Sequence, residues 1–181
     1  VSGTATLGRP APDFTLPSLD GPPVRLADHR GRIVVLEWIN PDCPFVRAAH
    51  QKGSLKDMAA RNRERVVWLA VNSGAPGKQG HGVETNRAGK TRFAIDHPIL
   101  IDERGEVGRA YGARHTPHMF VVDREGLLVY RGAIDNTGSG DPEDASPLVN
   151  YVEEAIAAAE AGRPVARAET EAWGCSVKYA D

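Results

Sequence analysis

The chain has 181 residues, with 22 Lys or Arg against 24 Asp or Glu for a net charge of −2, and 41% of it is hydrophobic. That length and composition fit one globular domain, for which about 100–200 residues is usual. The near-balanced charge gives no basic footprint for nucleic acid, and the longest nearly apolar run, Ile33 to Ile39 with Glu37 inside it, is far short of the ~20 residues of a membrane span.

Pro10, Pro12, Pro17, Pro22 and Pro23 make residues 1–23 an extended lead-in, because proline locks φ and excludes helix. The chain starts at Val1 and a small polar run follows, without a signal peptide; an exported protein is slightly favoured over a cytoplasmic one. A domain is expected over 24–162 and a tail over 163–181. Val24-Arg25-Leu26 is a short strand. Ile33 to Ile39 and Val66 to Val71 are β-branched and nearly continuous, the pattern of strands covered on both faces. Between them a helical pattern runs from Pro44 to about Ala59, weakened or bent at Gly53.

A Gly-rich loop from Asn72 to Gly82 leads into a helix ending near Ile95. Ile99-Leu100-Ile101 is a strand and Val107 to Tyr111 a short helix. Met119 to Asp123 and Leu127 to Arg131, joined by Arg124-Glu125-Gly126, read as a hairpin. Leu148 to Ala161 is Ala-rich and helical, stopped by Gly162 and Pro164. The tail from Val165 shows no periodicity. The order β-α-β-α-β, hairpin, helix predicts an α/β three-layer sandwich, a mixed central sheet with helices on both faces.

Cys43 follows the first long strand by four residues and precedes Pro44, a residue favoured at the first helical position. A cysteine placed there meets unpaired N–H groups and the positive end of the helix dipole, which favour the thiolate. A buried apolar cysteine is the weaker alternative. The only other cysteine is Cys175, in Trp173-Gly174-Cys175-Ser176-Val177-Lys178-Tyr179. Two cysteines are too few for a four-thiolate zinc site and enough for one redox pair. Trp173 and Tyr179 are the groups that would dock the tail.

Two segments, Glu37-Trp38-Ile39-Asn40-Pro41-Asp42-Cys43-Pro44-Phe45-Val46 and Thr116-Pro117-His118-Met119-Phe120-Val121-Val122-Asp123, make the chain resemble the thioredoxin superfamily. The likeness is to its redoxin branch, with the alkyl hydroperoxide reductases and thiol-specific antioxidants, and runs from about residue 9 to 162. The resemblance implies a thioredoxin-like fold, a reactive Cys43 opening the first helix, and a cis Thr116–Pro117 bond beside it. It implies a substrate groove of Pro44, Phe45, Thr116 and Pro117. Glu37, six residues before Cys43, takes the place of a buried acid that moves protons, with an expected raised pKa; a salt-bridged strand carboxylate is the alternative.

Departures from the family narrow the function. Val46 stands where a thioredoxin has its second cysteine. Asn40 and Leu36 stand where peroxiredoxins carry the Thr and Pro that organise peroxide. The Gly-Cys-Ser-Val-Lys-Tyr ending resembles that of redoxins sharing Cys-Pro-Phe-Val, which makes Cys175 the expected resolving partner of Cys43, within the chain or across a dimer. A structural bridge there would close 132 residues (175 − 43) and contribute up to about 5 kcal/mol.

The leading expectation is a thiol–disulfide oxidoreductase acting on protein disulfides, with a thiol reductant, as monomer or homodimer. A thiol peroxidase using peroxide comes second, and a non-catalytic binding module third. No cofactor and no metal are expected: His50, His115 and His118 admit a copper site, but packing histidines fit their spacing better. Gly74 to Gly80 lacks the Gly-Lys-Ser/Thr ending of a phosphate loop and reads as a connector.

Overall fold

A computed structural model describes residues 1–181. The proline-rich start is extended and packs on the body: β1 (Thr15–Leu16) pairs antiparallel with β2 (Val24–Arg25), and Ala5, Phe14 and Leu16 are buried in the core. β3 (Ile33–Trp38) is buried at every residue and is followed by α1 (Pro44–Gln51), α2 (Met58–Arg61) and β4 (Val66–Asn72). The single helix expected from Pro44 to Ala59 is therefore two. At Gly53 a Cβ would run into the carbonyl of Gly140, so only glycine lets the loop around Gly140 lie this close, and the helix ends before it.

Next come α3 (Val83–Arg92), β5 (Ile99–Ile101), α4 (Glu106–Tyr111), β6 (His115–Thr116), β7 (His118–Val122) and β8 (Leu128–Gly132). The expected C-terminal helix is α5 (Tyr151–Glu160); it begins at Tyr151 rather than Leu148 because the Asn150 side chain accepts the Glu153 N–H and caps it there. In the tail, where no element was expected, β9 (Cys175–Ser176) pairs antiparallel with β6.

The main sheet has the order β5-β4-β3-β7-β8, with β3, β4 and β5 parallel and β7 and β8 antiparallel additions. Alternation along β3 divides the core. Val34, Leu36 and Trp38 face Phe14, Val107, Tyr111 and Phe120 on one side. Ile33 and Val35 face Ala49, Met58, Val152 and Ile156, carried by α1, α2 and α5, on the other. This is the mixed α/β sandwich of the thioredoxin-like fold. No helix is long and apolar enough to cross a membrane.

Candidate active site

Cys43 is the N-cap of α1, with extended backbone and Pro44 in the first turn. Its N–H donates to the Asn40 carbonyl at 3.0 Å, while the Asn40 side chain accepts from Asp42 N–H and donates to Gln79. The Gly-rich connector thus lies at the edge of the site. The Cys43 side chain is fully buried, with its thiol 3.3 Å from the Thr116 carbonyl. The Thr116–Pro117 bond is cis.

What covers Cys43 is the tail. Cys175 lies opposite Thr116 and Ser176 opposite His115 in the β6–β9 pair. Gly174, in the positive-φ region, passes so close that a Cβ would strike the Thr116 carbonyl. Trp173 packs on Phe45, ring centres 6.3 Å apart, and donates its indole N–H to the Asp135 carbonyl at 2.9 Å. Val177 N–H donates to the Arg114 carbonyl, and the Lys178 carbonyl accepts from Ala75 N–H. Tyr179 lies on Gly105 and Gly108 beneath the Arg109 guanidinium, its hydroxyl donating to the Ala113 carbonyl at 2.6 Å. Of the four residues expected to form a substrate groove, Phe45, Thr116 and Pro117 lie against the chain's own C-terminus, while Pro44 is exposed.

Both cysteines are free thiols, and they are electrostatically unlike. Burial pushes the Cys43 thiol up, but hydrogen bonds from the Cys175 and Thr116 side chains and from the Val46 and Cys175 N–H groups outweigh it, so it sits below the ordinary value. Thr116 Oγ1 is buried beside the sulfur and has no other partner. Cys175 is pushed up to about 11 by burial, by its hydrogen bond to Cys43 and by the Cys43 charge, with Lys178 and the Phe45 N–H pulling the other way. The two thiols thus meet with opposite shifts, Cys43 made more acidic and Cys175 less so.

The hydrogen bonds of Glu37 go to His50 and Trp68. Its carboxylate is fully buried, with Oε2 at 2.6 Å from His50 Nε2 and Oε1 accepting from Trp68 Nε1 at 3.0 Å. The expected rise in its pKa is reversed. Burial raises it, but the His50 interaction, and behind it His97 and Trp68, carry it below the usual carboxylate value. A cavity of about 350 Å³ reaches this cluster from the surface, and His97 Nε2 is buried beside it without a partner. His50, Trp68 and His97 were not legible as partners of Glu37 because they arrive from α1, β4 and the stretch before β5. His50 stands on α1 two turns beyond Cys43, so the pair ties the helix that presents Cys43 to the strand that precedes it.

His115 meets the Gly174 carbonyl through Nδ1 at 3.3 Å; His118 accepts the Arg114 N–H and stacks on Phe120. No group of three or more His, Cys, Asp or Glu is arranged to hold a metal.

Comparison with known proteins gives a consistent result. A crystal structure of a hypothetical protein from Sinorhizobium meliloti superposes with a TM-score of 0.82 at 28% identity, covering 98% of this chain and 97% of that one. A crystal structure of an uncharacterized conserved protein from Geobacillus kaustophilus gives 0.80 at 31% identity, covering 97% and 93%. The thiol-disulfide oxidoreductase ResA of Geobacillus thermodenitrificans is 33% identical over 123 residues. That match takes in 67% of this chain and 66% of the relative, just under two thirds of the relative's length. The model of the AhpC/TSA family matches residues 7–131. With that match running from the lead-in through the hairpin, and the strand–Cys–helix and cis-proline segments both inside it, the chain belongs to the AhpC/TSA family.

Proposed function

We propose that the protein is a thiol–disulfide oxidoreductase whose working pair is Cys43 and Cys175. The observation that carries the reading is their meeting at the start of α1, with Cys43 pulled below and Cys175 pushed above the ordinary thiol value although they stand 132 residues apart in sequence (175 − 43). In the reduced protein the tail is held only by non-covalent contacts. When it swings aside, the Cys43 thiolate attacks a sulfur of a partner's disulfide, one partner sulfur leaves as a thiolate, and a mixed disulfide forms. Cys175, giving up its proton to that leaving thiolate, then attacks Cys43 Sγ; the second partner sulfur departs and the Cys43–Cys175 disulfide remains. Two electrons have moved from this pair to the partner. Pro44, Phe45, Thr116 and Pro117 form the groove for the partner's strand, and Glu37 acts as a proton-handling or positioning group through His50. An oxidising compartment outside the cytoplasm suits such a pair; cell fractionation with an antibody checks that placement.

The peroxidase reading is disfavoured by Asn40. At the position where peroxiredoxins hold a Thr, its side chain is already engaged with Asp42 and Gln79. The deciding experiment is intact mass after alkylation, before and after one equivalent of either a protein disulfide or peroxide. A linked Cys43–Cys175 peptide formed with the protein disulfide, together with a trapped mixed disulfide on Cys43 in Cys175→Ser, supports the proposal. Two alkylatable thiols after both oxidants rule out the two-cysteine mechanism. Faster pairing with peroxide than with the protein disulfide transfers the assignment to a peroxidase.

A further inference from the structure

The tail is held in two stretches of different kind. Beside β8, the Arg131 N–H and carbonyl bond the Ala168 carbonyl and the Thr170 N–H, and the Thr170 hydroxyl meets the Ala133 N–H and the Tyr130 hydroxyl. Beyond that anchor, residues 173–179 run past β6 and over Cys43. Five residues part Thr170 from Cys175 (175 − 170), at most about 18 Å of extended chain. The outer stretch can therefore leave β6 while Cys175 stays close enough to return to Cys43.

Its departure strips partners from fixed groups. The Arg114 carbonyl loses the Val177 N–H, the Ala75 N–H loses the Lys178 carbonyl, the Asp135 carbonyl loses the Trp173 indole, and the Phe45 ring loses its cover. A partner strand that restores those contacts binds better than one that does not. Two fixed points set its register. A cysteine bonded to Cys43, on a strand paired antiparallel with β6, stands where Cys175 stands, opposite Thr116. The residue before it takes the place of Gly174, where φ is +124° and a Cβ would strike the Thr116 carbonyl. The residue before that takes the place of Trp173 against Phe45. The residue after the cysteine takes the exposed place of Ser176, which imposes nothing. Resting on the reading above, we infer that the tail is a template for the substrate: the disulfides this protein reduces lie in extended segments with glycine immediately before the reacting cysteine and an aromatic residue before that glycine.

Blocked peptides copying residues 172–178 serve as probes, each with its cysteine in a disulfide with thionitrobenzoate. The Cys43 thiolate attacks the peptide sulfur, and thionitrobenzoate leaves with the electron pair. Cys175 then gives up its proton and attacks Cys43 Sγ, and the peptide leaves as a thiolate that takes up that proton. Release of the coloured thiolate by reduced full-length protein is timed for this peptide, for one with Ala in place of Trp and for one with Ala in place of Gly. Each rate is divided by that of the same peptide with a small free thiol. The peptide without Trp should react about tenfold more slowly, for one lost aromatic contact and one lost hydrogen bond. The peptide without Gly should be slower by at least about tenfold. In Phe45→Leu the advantage of the Trp peptide should fall to about threefold. Equal rates across the peptides, or a Trp advantage that survives Phe45→Leu undiminished, overturn the inference and leave the oxidoreductase reading standing. If Phe45→Leu does not fold, the peptide series on the unchanged protein decides alone. Release from none of the peptides removes both.

Discussion

At the residue scale the site depends on asymmetry between two identical side chains. Donors around Cys43, one of which is Cys175, hold its thiol below the ordinary value, so Cys175→Ala should move the Cys43 titration upward, read from thiolate ultraviolet absorbance across pH. The position of Cys43 was legible from the Cys43-Pro44 pair, because a cap followed by proline is a local signal. The surroundings of Glu37 were not. The sequence shows a carboxylate in a buried strand and no more, since His50, Trp68 and His97 belong to separate elements. That difference reversed the sign of its expected pKa shift. Glu37→Gln should destabilise the fold by about 3 kcal/mol, the usual scale for breaking a buried pair from one side. Because the Glu37 pKa lies lower in the folded chain than in the unfolded one, its contribution is present above about pH 4.5 and disappears as the pH falls through the folded value. Urea titrations at pH 7 and pH 3.5 should therefore show the variant's deficit shrinking in acid.

Among the elements, those that pair or pack with near neighbours were readable and those that depend on distant ones were not. β3 and β4 announced themselves by β-branched runs, and the β7–β8 hairpin by its turn. β9 is two residues long and exists because β6, some sixty residues earlier, offers it an edge. The break between α1 and α2 likewise reflects the remote Gly140 loop lying against Gly53. The docked tail leads to a direct expectation. A chain ending at Ala172 loses the Trp173, Val177, Lys178 and Tyr179 contacts, worth several kcal/mol together. Its Cys43 should react with a bulky maleimide at least about tenfold faster than Cys43 of the full-length protein, while far-ultraviolet circular dichroism stays the same. Equal rates would mean that the tail does not guard the sulfur.

For the whole molecule, acid sensitivity should begin above the range where carboxylates titrate. His118 is buried, and burial, with His115, Arg114 and Arg131 nearby, lowers its pKa to about 3 from an ordinary 6.5. Between those values the unfolded chain binds a proton that the folded chain refuses, so stability falls as the pH drops through 6.5 toward 3. From pH 8 to pH 5 the loss from this one group is about 2 kcal/mol. His118→Asn keeps an acceptor for the Arg114 N–H and removes the titration. Its urea midpoints at pH 8 and pH 5 should differ less than those of the unchanged protein. The overall architecture was legible because element order is written in the chain, and the docking of the tail was legible in Trp173 and Tyr179, whereas the β6–β9 pairing that seats it was not, since it rests on a remote strand edge and on the close pass of Gly174.

That closure has an electrochemical consequence. A disulfide between two cysteines free to wander on a 132-residue loop would be easy to reduce, because opening it releases the whole loop. Here the reduced tail already holds Cys175 against Cys43, so little freedom is regained on reduction and the effective local concentration of the second thiol is high. Each tenfold gain in that concentration lowers the reduction potential of a two-electron couple by about 30 mV. The contacts of Trp173 and Tyr179, remote from either sulfur, thereby tune the voltage at which the pair gives up its electrons.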